Sequence, residues 1–265
     1  MKTIGVVVHD GRGSAVDAAA ELIERCGVVG VEARRVSSAA DAGEVEALIG
    51  VGGDGTVLRA AELALDVDIP LAGINVGRVG YLAEFSVGEI GSLAAGVAAD
   101  ELRVVDRMTA AVRHGDRQAL AVNDVVVEKV VTQRMVEIAV AINGNEFAGY
   151  RTDGIIVATP VGSTAYSLSS GGPVLDPTLE AFVITPVAPH SLLSRSIVVS
   201  AESEIRLDVI GDRPARINVD GREISEVPPG DTVTVTSGER PVRFLTLDHH
   251  PFPQAVRHQF GLEHA

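Results

Sequence analysis

The sequence predicts an α/β domain followed by an all-β domain. Over the first hundred residues, short apolar runs alternate with stretches of helical spacing, and a glycine-rich loop ends one of the runs. Beyond about residue 102, short β-type runs recur with turn residues between them. We therefore expect a Rossmann-like α/β domain at 1–101, a β-sandwich-like domain at 102–248, and a tail at 249–265 that packs on the first domain.

The first domain has a regular order of elements. Ala15–Cys26 has apolar residues at helical spacing, and Thr56–Leu65 predicts a second helix after the glycines. Four apolar runs predict strands: Ile4–Val8, Val31–Val36, Glu46–Val51 and Leu71–Val76.

The second domain has shorter elements. Turn residues separate the predicted strands at Asn143-Gly144, Asp220-Gly221 and Pro228-Pro229-Gly230. Gln254–Leu262 predicts a short terminal helix. The predicted strands are Ala119–Val127, Glu137–Ile142, Ile155–Ala158, Phe182–Thr185, Ile197–Ser200, Ile205–Val209, Arg216–Val219, Thr232–Thr236 and Val242–Leu247.

The composition narrows the class of protein. The net charge is −14, which disfavours nucleic acid and anionic membranes as partners. No apolar stretch approaches membrane-spanning length, the first residues do not resemble a signal peptide, and Cys26 is the only cysteine. These features favour the cytoplasm. Only Lys2 and Lys129 are lysines among 22 basic residues, and we interpret the acidic surface as an adaptation to high salt.

The segment Gly50-Val51-Gly52-Gly53-Asp54-Gly55-Thr56 carries the first chemical signal. Its glycines let backbone N–H groups approach a ligand closely, and a helix starting there offers an anion site. Gly50, Gly52 and Gly55 also match a dinucleotide-binding pattern, which leaves a nicotinamide oxidoreductase open. However, Leu71–Val76 offers Asn75 and no acidic residue for a ribose hydroxyl.

Asp54 favours phosphoryl transfer. A carboxylate facing phosphates is electrostatically unfavourable unless it accepts a proton or helps to hold a magnesium ion. The sequence contains no Walker A motif, protein-kinase motif set, hydrolase elbow or zinc-protease motif.

Two further segments carry groups suited to a nucleotide. A strand ends in the small, hydroxyl-rich run from Val161 to Pro173, in which Tyr166 offers an aromatic face. Asn123-Asp124 interrupts a β-type run and offers an amide for a base and a carboxylate for ribose hydroxyls. Alone, the hydroxyl-rich run is equally compatible with a polar capped turn, and Asn123-Asp124 is more typical of a strand end or an exposed face.

Taken together, these segments resemble the NAD kinase family. Gly52–Thr56, Asn123-Asp124 and Thr152–Pro173 stand in the family's order, as do Leu71–Asn75, Thr185–Leu192 and Val219-Asp220-Gly221. The pentapeptide is shared with 6-phosphofructokinases and diacylglycerol kinases, whereas the Asp153–Pro173 stretch is specific. The acidic composition suggests a salt-adapted, haloarchaeal-type member.

The resemblance implies that the 2′-hydroxyl of the adenosine ribose of NAD attacks the terminal phosphate of ATP or another donor, giving NADP. It implies Asp54 as the proton acceptor, Mg²⁺ or another divalent cation carried by the donor, and a homodimer or homotetramer. A lipid or sugar kinase of the same superfamily and a non-catalytic nucleotide sensor remain alternatives.

The resemblance also assigns a site. The phosphate-binding loop is Gly52, Gly53, Asp54, Gly55 and Thr56. Val161 replaces a commoner Thr, and Asp124 a frequent Glu. No protein-held metal site is expected, because His249, His250, His258 and His264 lack clear ligand spacing. The NAD-binding positions are Asp54, Gly55, Arg59, Asn123, Asp124, Arg134, Arg151, Asp153, Val161, Thr164, Ala165, Tyr166, Ser167, Leu168, Ser169, Ala188 and Arg222.

Overall fold

The computed structural model describes residues 1–77, 80–247, 252–260 and 262. The elements on the amino-terminal side are β1 (Thr3–Val8), α1 (Gly13–Val28), β2 (Glu32–Arg35), α2 (Ala39–Ala42), β3 (Ala47–Gly52), α3 (Asp54–Val67), β4 (Leu71–Asn75), β5 (Phe85–Ser86), α4 (Ile90–Ala99) and β6 (Arg103–Arg107). The elements that follow are β7 (Ala110–His114), β8 (Arg117–Ala121), β9 (Asp124–Lys129), β10 (Val136–Ile142), β11 (Asn145–Thr152), β12 (Gly154–Ala158), α5 (Tyr166–Ser169), β13 (Ala181–Val187), β14 (Ile197–Ser200), β15 (Ile205–Val209), β16 (Ala215–Val219), β17 (Arg222–Val227), β18 (Thr232–Ser237), β19 (Val242–Thr246) and α6 (Phe252–Gln259).

The chain divides into two compact units, Met1–Arg107 with Val242–Ala265, and Met108–Pro241. These bounds differ from the predicted 1–101 and 102–248 by one strand at each end. The reason is pairing, since β19 lies beside β4 and is antiparallel to β6, so both β6 and β19 extend the first sheet. The residues beyond β19 are grouped with the first unit.

The first unit is a mainly parallel sheet with helices. Its order in the described residues is β2-β1-β3-β4-β19-β6, with β5 beside β4. The connection from β1 leads outward to β2, whereas the connection from β3 leads the other way to β4. The direction therefore reverses between β1 and β3, and ligands of open α/β sheets bind at the carboxyl ends of the strands at such a point.

Small residues bring α3 close to this sheet. Its buried face includes Ala60, Ala61 and Ala64. A Cβ on Gly73 of β4 would lie 2.7 Å from Val57 Cγ2, which is closer than a side chain permits. The first turn of α3 therefore packs closely on β4.

The second unit consists of two six-stranded antiparallel sheets. Their orders are β11-β10-β15-β18-β7-β8 and β14-β13-β12-β9-β16-β17. Both sheets contribute to one apolar core, with Val112 and Ile138 from the first sheet and Val125 and Ile155 from the second. This packing confirms the predicted α/β plus β-sandwich-like fold class.

One predicted strand is two strands in the structure. The run Ala119–Val127 is divided between β8, which pairs with β7, and β9, which pairs with β12 and β16 in the other sheet. Val122 and Asn123 form the passage between the sheets. The apolar pattern is continuous across this passage, which is why the sequence predicts one strand.

Several strands and helices of the structure are not predicted by the hydrophobic pattern of the sequence. The strands β6, β7, β11 and β17 are rich in charged or small residues, and α4 consists largely of Gly and Ala. None of the helices in the described ranges combines the length and hydropathy that crossing a membrane requires.

Candidate active site

The glycine-rich loop lies at the carboxyl end of β3, where the chain turns into α3. Gly53 precedes the helix, and Asp54 is its first residue. A Cβ on Gly52 would lie 2.3 Å from Thr56 Oγ1, so the turn excludes a side chain there. The first N–H groups of a helix have no partner within it and carry the positive end of its dipole. The loop thus has the geometry of an anion site.

The Asp54 carboxylate is held in one orientation by the segment after β4. Its Oδ2 accepts a hydrogen bond from Tyr81 N at 3.0 Å, and its Oδ1 accepts one from Leu82 N at 3.2 Å. Burial and the negative charge of Asp54 raise the pKa of the Tyr81 hydroxyl. Gly80 packs against the same carboxylate, since a Cβ there would lie 1.9 Å from Asp54 Oδ1.

Other polar groups lie along this edge of the sheet. Asn75 pairs with Gly52 across β4 and β3, and its Oδ1 accepts a hydrogen bond from Gly77 N at 2.9 Å. Arg59 donates to the Ser37 carbonyl oxygen at 3.1 Å. Arg12, in the loop after β1, brings its guanidinium to the vicinity of Gly77. No sequence pattern marks Arg12 or Gly80 as a site residue.

In the second unit, one carboxylate organises the passage between β8 and β9. Asp220 occupies the β16–β17 turn with φ at 50°, followed by Gly221 at 79°. It accepts hydrogen bonds from Val122 N at 2.7 Å, Asn123 N at 2.7 Å and Asp124 N at 3.1 Å. Asp220 lies in the motif Val219-Asp220-Gly221, but the sequence does not reveal this contact.

Asp124 is the buried carboxylate of this passage. Only 5% of the residue is exposed, and burial together with the charge of Asp220 raises the pKa of its carboxyl group to about 7. Burial also raises the pKa of Asp220, which the three N–H groups and the Arg222 charge oppose. The two carboxyl groups therefore differ, because Asp220 has several groups that favour its ionised form.

The hydroxyl-rich segment folds against Asn123. Thr159 N donates to the Asn123 carbonyl oxygen at 2.9 Å, and Thr159 Oγ1 donates to the Val122 carbonyl oxygen at 2.6 Å. A Cβ on Gly162 would lie 1.9 Å from the Asn123 carbonyl oxygen. Thr159 and Gly162 lie in the predicted segment Thr152–Pro173 but are not among the predicted NAD-binding positions, although a Gly near a strand end signals a close backbone approach.

The predicted NAD-binding residues between Val161 and Ser169 differ in their exposure and contacts. Tyr166 is 41% exposed, and burial together with the charges of Glu128, Asp153 and Asp124 raises the pKa of its hydroxyl. Ser167 is buried, with its hydroxyl 2.9 Å from Thr185 Oγ1, so this hydroxyl anchors α5 to β13. Val161 is buried, and Thr164, Ala165 and Leu168 are half-buried. Ser169 is exposed.

The remaining predicted positions are spread over the unit. Asp153 forms an ion pair with Lys129 at 2.6 Å. Arg134 precedes β10 and Arg151 lies on β11, and both are exposed in or beside the sheet that does not carry Asp124. Ala188 follows β13 with a φ of 45°, and Arg222 follows the turn that holds Asp220.

Comparisons with known proteins decide the family. Residues 6–102 match the model of the ATP-NAD kinase N-terminal domain, and residues 122–247 match that of the C-terminal domain. An NAD kinase of Corynebacterium efficiens is 35% identical over 97% of this chain and 90% of its own length. The chain belongs to the NAD kinase family. NAD kinase 2 of Streptomyces coelicolor is 34% identical over 99% of the chain and 95% of its own length.

Solved structures agree with this membership. An Archaeoglobus fulgidus NAD kinase in complex with ATP has a TM-score of 0.79 at 30% identity, over 98% of both chains. Yeast NADH kinase complexed with NADH has a TM-score of 0.89 at 20% identity, over 100% of this chain and 89% of its own, which supports the fold. The chain is an NAD kinase enzyme that phosphorylates the 2′-hydroxyl of the adenosine ribose of NAD, and the oxidoreductase, lipid-kinase and sensor alternatives are not favoured.

Proposed function

We propose that Asp54 is the general base of this reaction, with ATP as the phosphate donor. The observation that carries the proposal is the orientation of its carboxylate by two backbone N–H groups, at the first turn of a helix that starts in glycines. Asp54 takes the proton of the ribose 2′-hydroxyl as that oxygen attacks the terminal phosphorus, and the bond to the leaving diphosphate breaks. The N–H groups of the loop receive phosphate oxygens.

Asp54→Asn tests the base. The amide still accepts one hydrogen bond but cannot take a proton at neutral pH, so kcat should fall by roughly 10²–10⁴-fold while the Kd for NAD changes little. Asp66→Asn is the control, because Asp66 is an exposed aspartate on the same helix. NADP formation is measured with NAD, ATP and Mg²⁺. An Asp54→Asn enzyme with an unchanged kcat removes this residue from the mechanism.

Gly55→Ala tests the phosphate-binding role of the loop. A Cβ on Gly55 meets nothing within 4 Å, so the substitution should not disturb the fold and should stabilise α3 by up to about 1 kcal/mol. If phosphates approach the backbone here, the methyl group should raise KM for ATP about tenfold. Gly91→Ala is the matched control, because Gly91 is also the second residue of a helix and a Cβ there also meets nothing within 4 Å. Equal KM values for ATP in both variants would contradict the proposal.

We further propose that a divalent cation enters with the donor. No group of three or more His, Cys, Asp or Glu side chains suited to a metal ion occurs among the residues that the structure describes. His249, His250 and His264 lie outside the described residues. The donor phosphates and water would supply most ligands, with Asp54 the nearby protein carboxylate, and the ion would neutralise charge on the transferred group. Removal of the cation with a chelator should abolish turnover, which added Mg²⁺ should restore.

The other predicted properties stay proposals. The NAD-binding roles of Arg59, Arg134, Arg151, Ala188 and Arg222 call for single alanine variants with KM for NAD as the readout. A homodimer or homotetramer is supported by exposed apolar side chains on the second unit, such as Leu192 and Val198 on or before the edge strand β14, and light scattering tests it. A cytoplasmic location and other phosphate donors, including polyphosphate, remain predictions.

A further inference from the structure

We propose that Asp220 is a positioning residue for the dinucleotide, because it holds the Asn123-Asp124 bend in the conformation that presents both side chains to NAD. The inference deepens the proposed function, since it rests on Asn123 and Asp124 as NAD contacts. Asp220 itself need not touch NAD. It acts through the backbone that carries the two contact residues.

The geometry carries the argument. Three consecutive N–H groups point at one carboxylate, with Asn123 N and Asp124 N both donating to Oδ1 and Val122 N donating to Oδ2. These N–H groups belong to the passage between two sheets. The carboxylate therefore supplies partners that a strand ladder would otherwise supply.

Backbone hydrogen bonds from Asp220 and Thr159 hold the same bend as well. Asp220 N donates to the Asp124 carbonyl oxygen at 3.1 Å, and Thr159 N donates to the Asn123 carbonyl oxygen at 2.9 Å. Gly162 packs against that second carbonyl oxygen. The main chain of Asn123-Asp124 is thus held by Asp220 and by Thr159, and of these two residues only Asp220 carries a charge.

The charge has its own consequence for Asp124. Burial, and after it the charge of Asp220 on the β16–β17 turn, raise the pKa of the Asp124 carboxyl group to about 7. The charges of Asp124, Glu128, Asp153 and Lys129 act on the Tyr166 hydroxyl of α5, and the Arg222 charge favours the ionised form of Asp220. Below about pH 7 the free enzyme therefore keeps a proton on Asp124. A carboxylate accepts hydrogen bonds from two ribose hydroxyls, whereas a carboxylic acid must use one oxygen as a donor.

This arrangement predicts a pH-dependent affinity. KM for NAD should rise as the pH falls through about 7, because Asp124 is then protonated before NAD binds. Removing the Asp220 charge lowers the pKa of Asp124, so the midpoint of this rise should move to a lower pH. KM for ATP should not follow the same curve.

Asp220→Asn tests the inference in the full-length enzyme. The amide oxygen can still accept from Asn123 N and Asp124 N, but the amide nitrogen cannot accept from Val122 N. At pH 8 we expect KM for NAD to rise about tenfold, KM for ATP to change less than twofold, and the pH midpoint for NAD to fall by about one unit. Hydrogen exchange at residues 122–124 should accelerate. Asp208→Asn is the control, because Asp208 accepts from Arg206 and Thr232 in the other sheet.

The outcomes separate this inference from the site on which it rests. A KM for NAD that responds to Asp124→Asn but not to Asp220→Asn overturns the inference alone. A KM that responds to neither overturns the NAD contact as well. A lower melting temperature and kcat with an unmoved pH midpoint shows that Asp220 is merely structural, which also overturns the inference.

A measurement on the unaltered enzyme covers the case in which Asp220→Asn does not fold. The carboxyl ¹³C resonance of Asp124, assigned by its loss in Asp124→Asn, should titrate with a midpoint of about 7 in the free protein. Saturation with NAD should shift that midpoint down by at least one unit. A midpoint near 4 in the free protein, or one that NAD leaves in place, contradicts the inference.

Discussion

Replacing Gly80 by Ala should displace the Asp54 carboxylate and lower kcat without weakening NAD binding. The added Cβ would lie 1.9 Å from Asp54 Oδ1, whereas real Cβ contacts are essentially never below 3.0 Å, so the two groups must separate by at least 1.1 Å. The perturbation is therefore the clash of the added Cβ with the Asp54 carboxylate. A displacement of about 1 Å at a catalytic group costs roughly 10²-fold in rate.

The assay is NADP formation at saturating NAD and ATP, with the Kd for NAD measured separately by titration. We expect kcat to fall about 10²-fold, the Kd to change less than threefold, and the stability to fall by about 1–3 kcal/mol, as for an overpacked site. Gly88→Ala is the control, since a Cβ there meets only Ser86 Oγ at 3.9 Å. A Gly80→Ala enzyme with full kcat and a stable fold would show that the orientation of Asp54 does not limit the chemistry.

Three further predictions follow from the second unit and from the charge. Gly162→Ala, whose Cβ would lie 1.9 Å from the Asn123 carbonyl oxygen, should raise KM for NAD at least tenfold and lower the melting temperature. Folding raises the pKa of Asp124 from 3.8 to about 7, so the folded state binds more protons and stability declines as the pH rises through that interval. Asp124→Asn should therefore be more stable than the parent above pH 7, by at most about 4 kcal/mol, and the gain should vanish near pH 4 in denaturant titrations. The net charge of −14 predicts that the melting temperature rises with added KCl, and a melting temperature independent of salt would remove the interpretation of salt adaptation.

The sequence predicts the strand, turn and helix around the glycine-rich loop well because the signal is local. A buried strand, three glycines within four residues, and a helical pattern lie within about twenty residues, and the structure has β3, the turn and α3 at those positions. The segment 152–173 is equally local. Its hydroxyl groups, however, have different partners, since Ser163 and Ser167 bond within the protein whereas Tyr166 stays exposed.

The contacts that orient the site could not be predicted in this way. Asp220 accepts from Asn123 across 97 positions of sequence, and Asp54 accepts from Tyr81 across 27. Nothing in the composition of Val219-Asp220-Gly221 distinguishes an ordinary hairpin turn from one whose carboxylate binds another chain segment. The division of the run 119–127 into β8 and β9 could not be predicted for the same reason. Val122 N and Asn123 N do not pair in either sheet there, and they donate to Asp220, which is far away in the sequence.

Glycine has two separate uses in this enzyme, and the structure distinguishes them. At Gly80 and Gly162 the space of a Cβ is occupied by the protein itself, by the Asp54 carboxylate and by the Asn123 carbonyl group. At Gly53 and Gly55 a Cβ would meet nothing within 4 Å. Packing alone explains why Gly80 and Gly162 are glycines, but it does not explain Gly53 and Gly55. Since a helix is more stable with Ala than with Gly, the retention of Gly55 in the first turn of α3 requires another cause, and the close approach of a phosphate to the backbone supplies one.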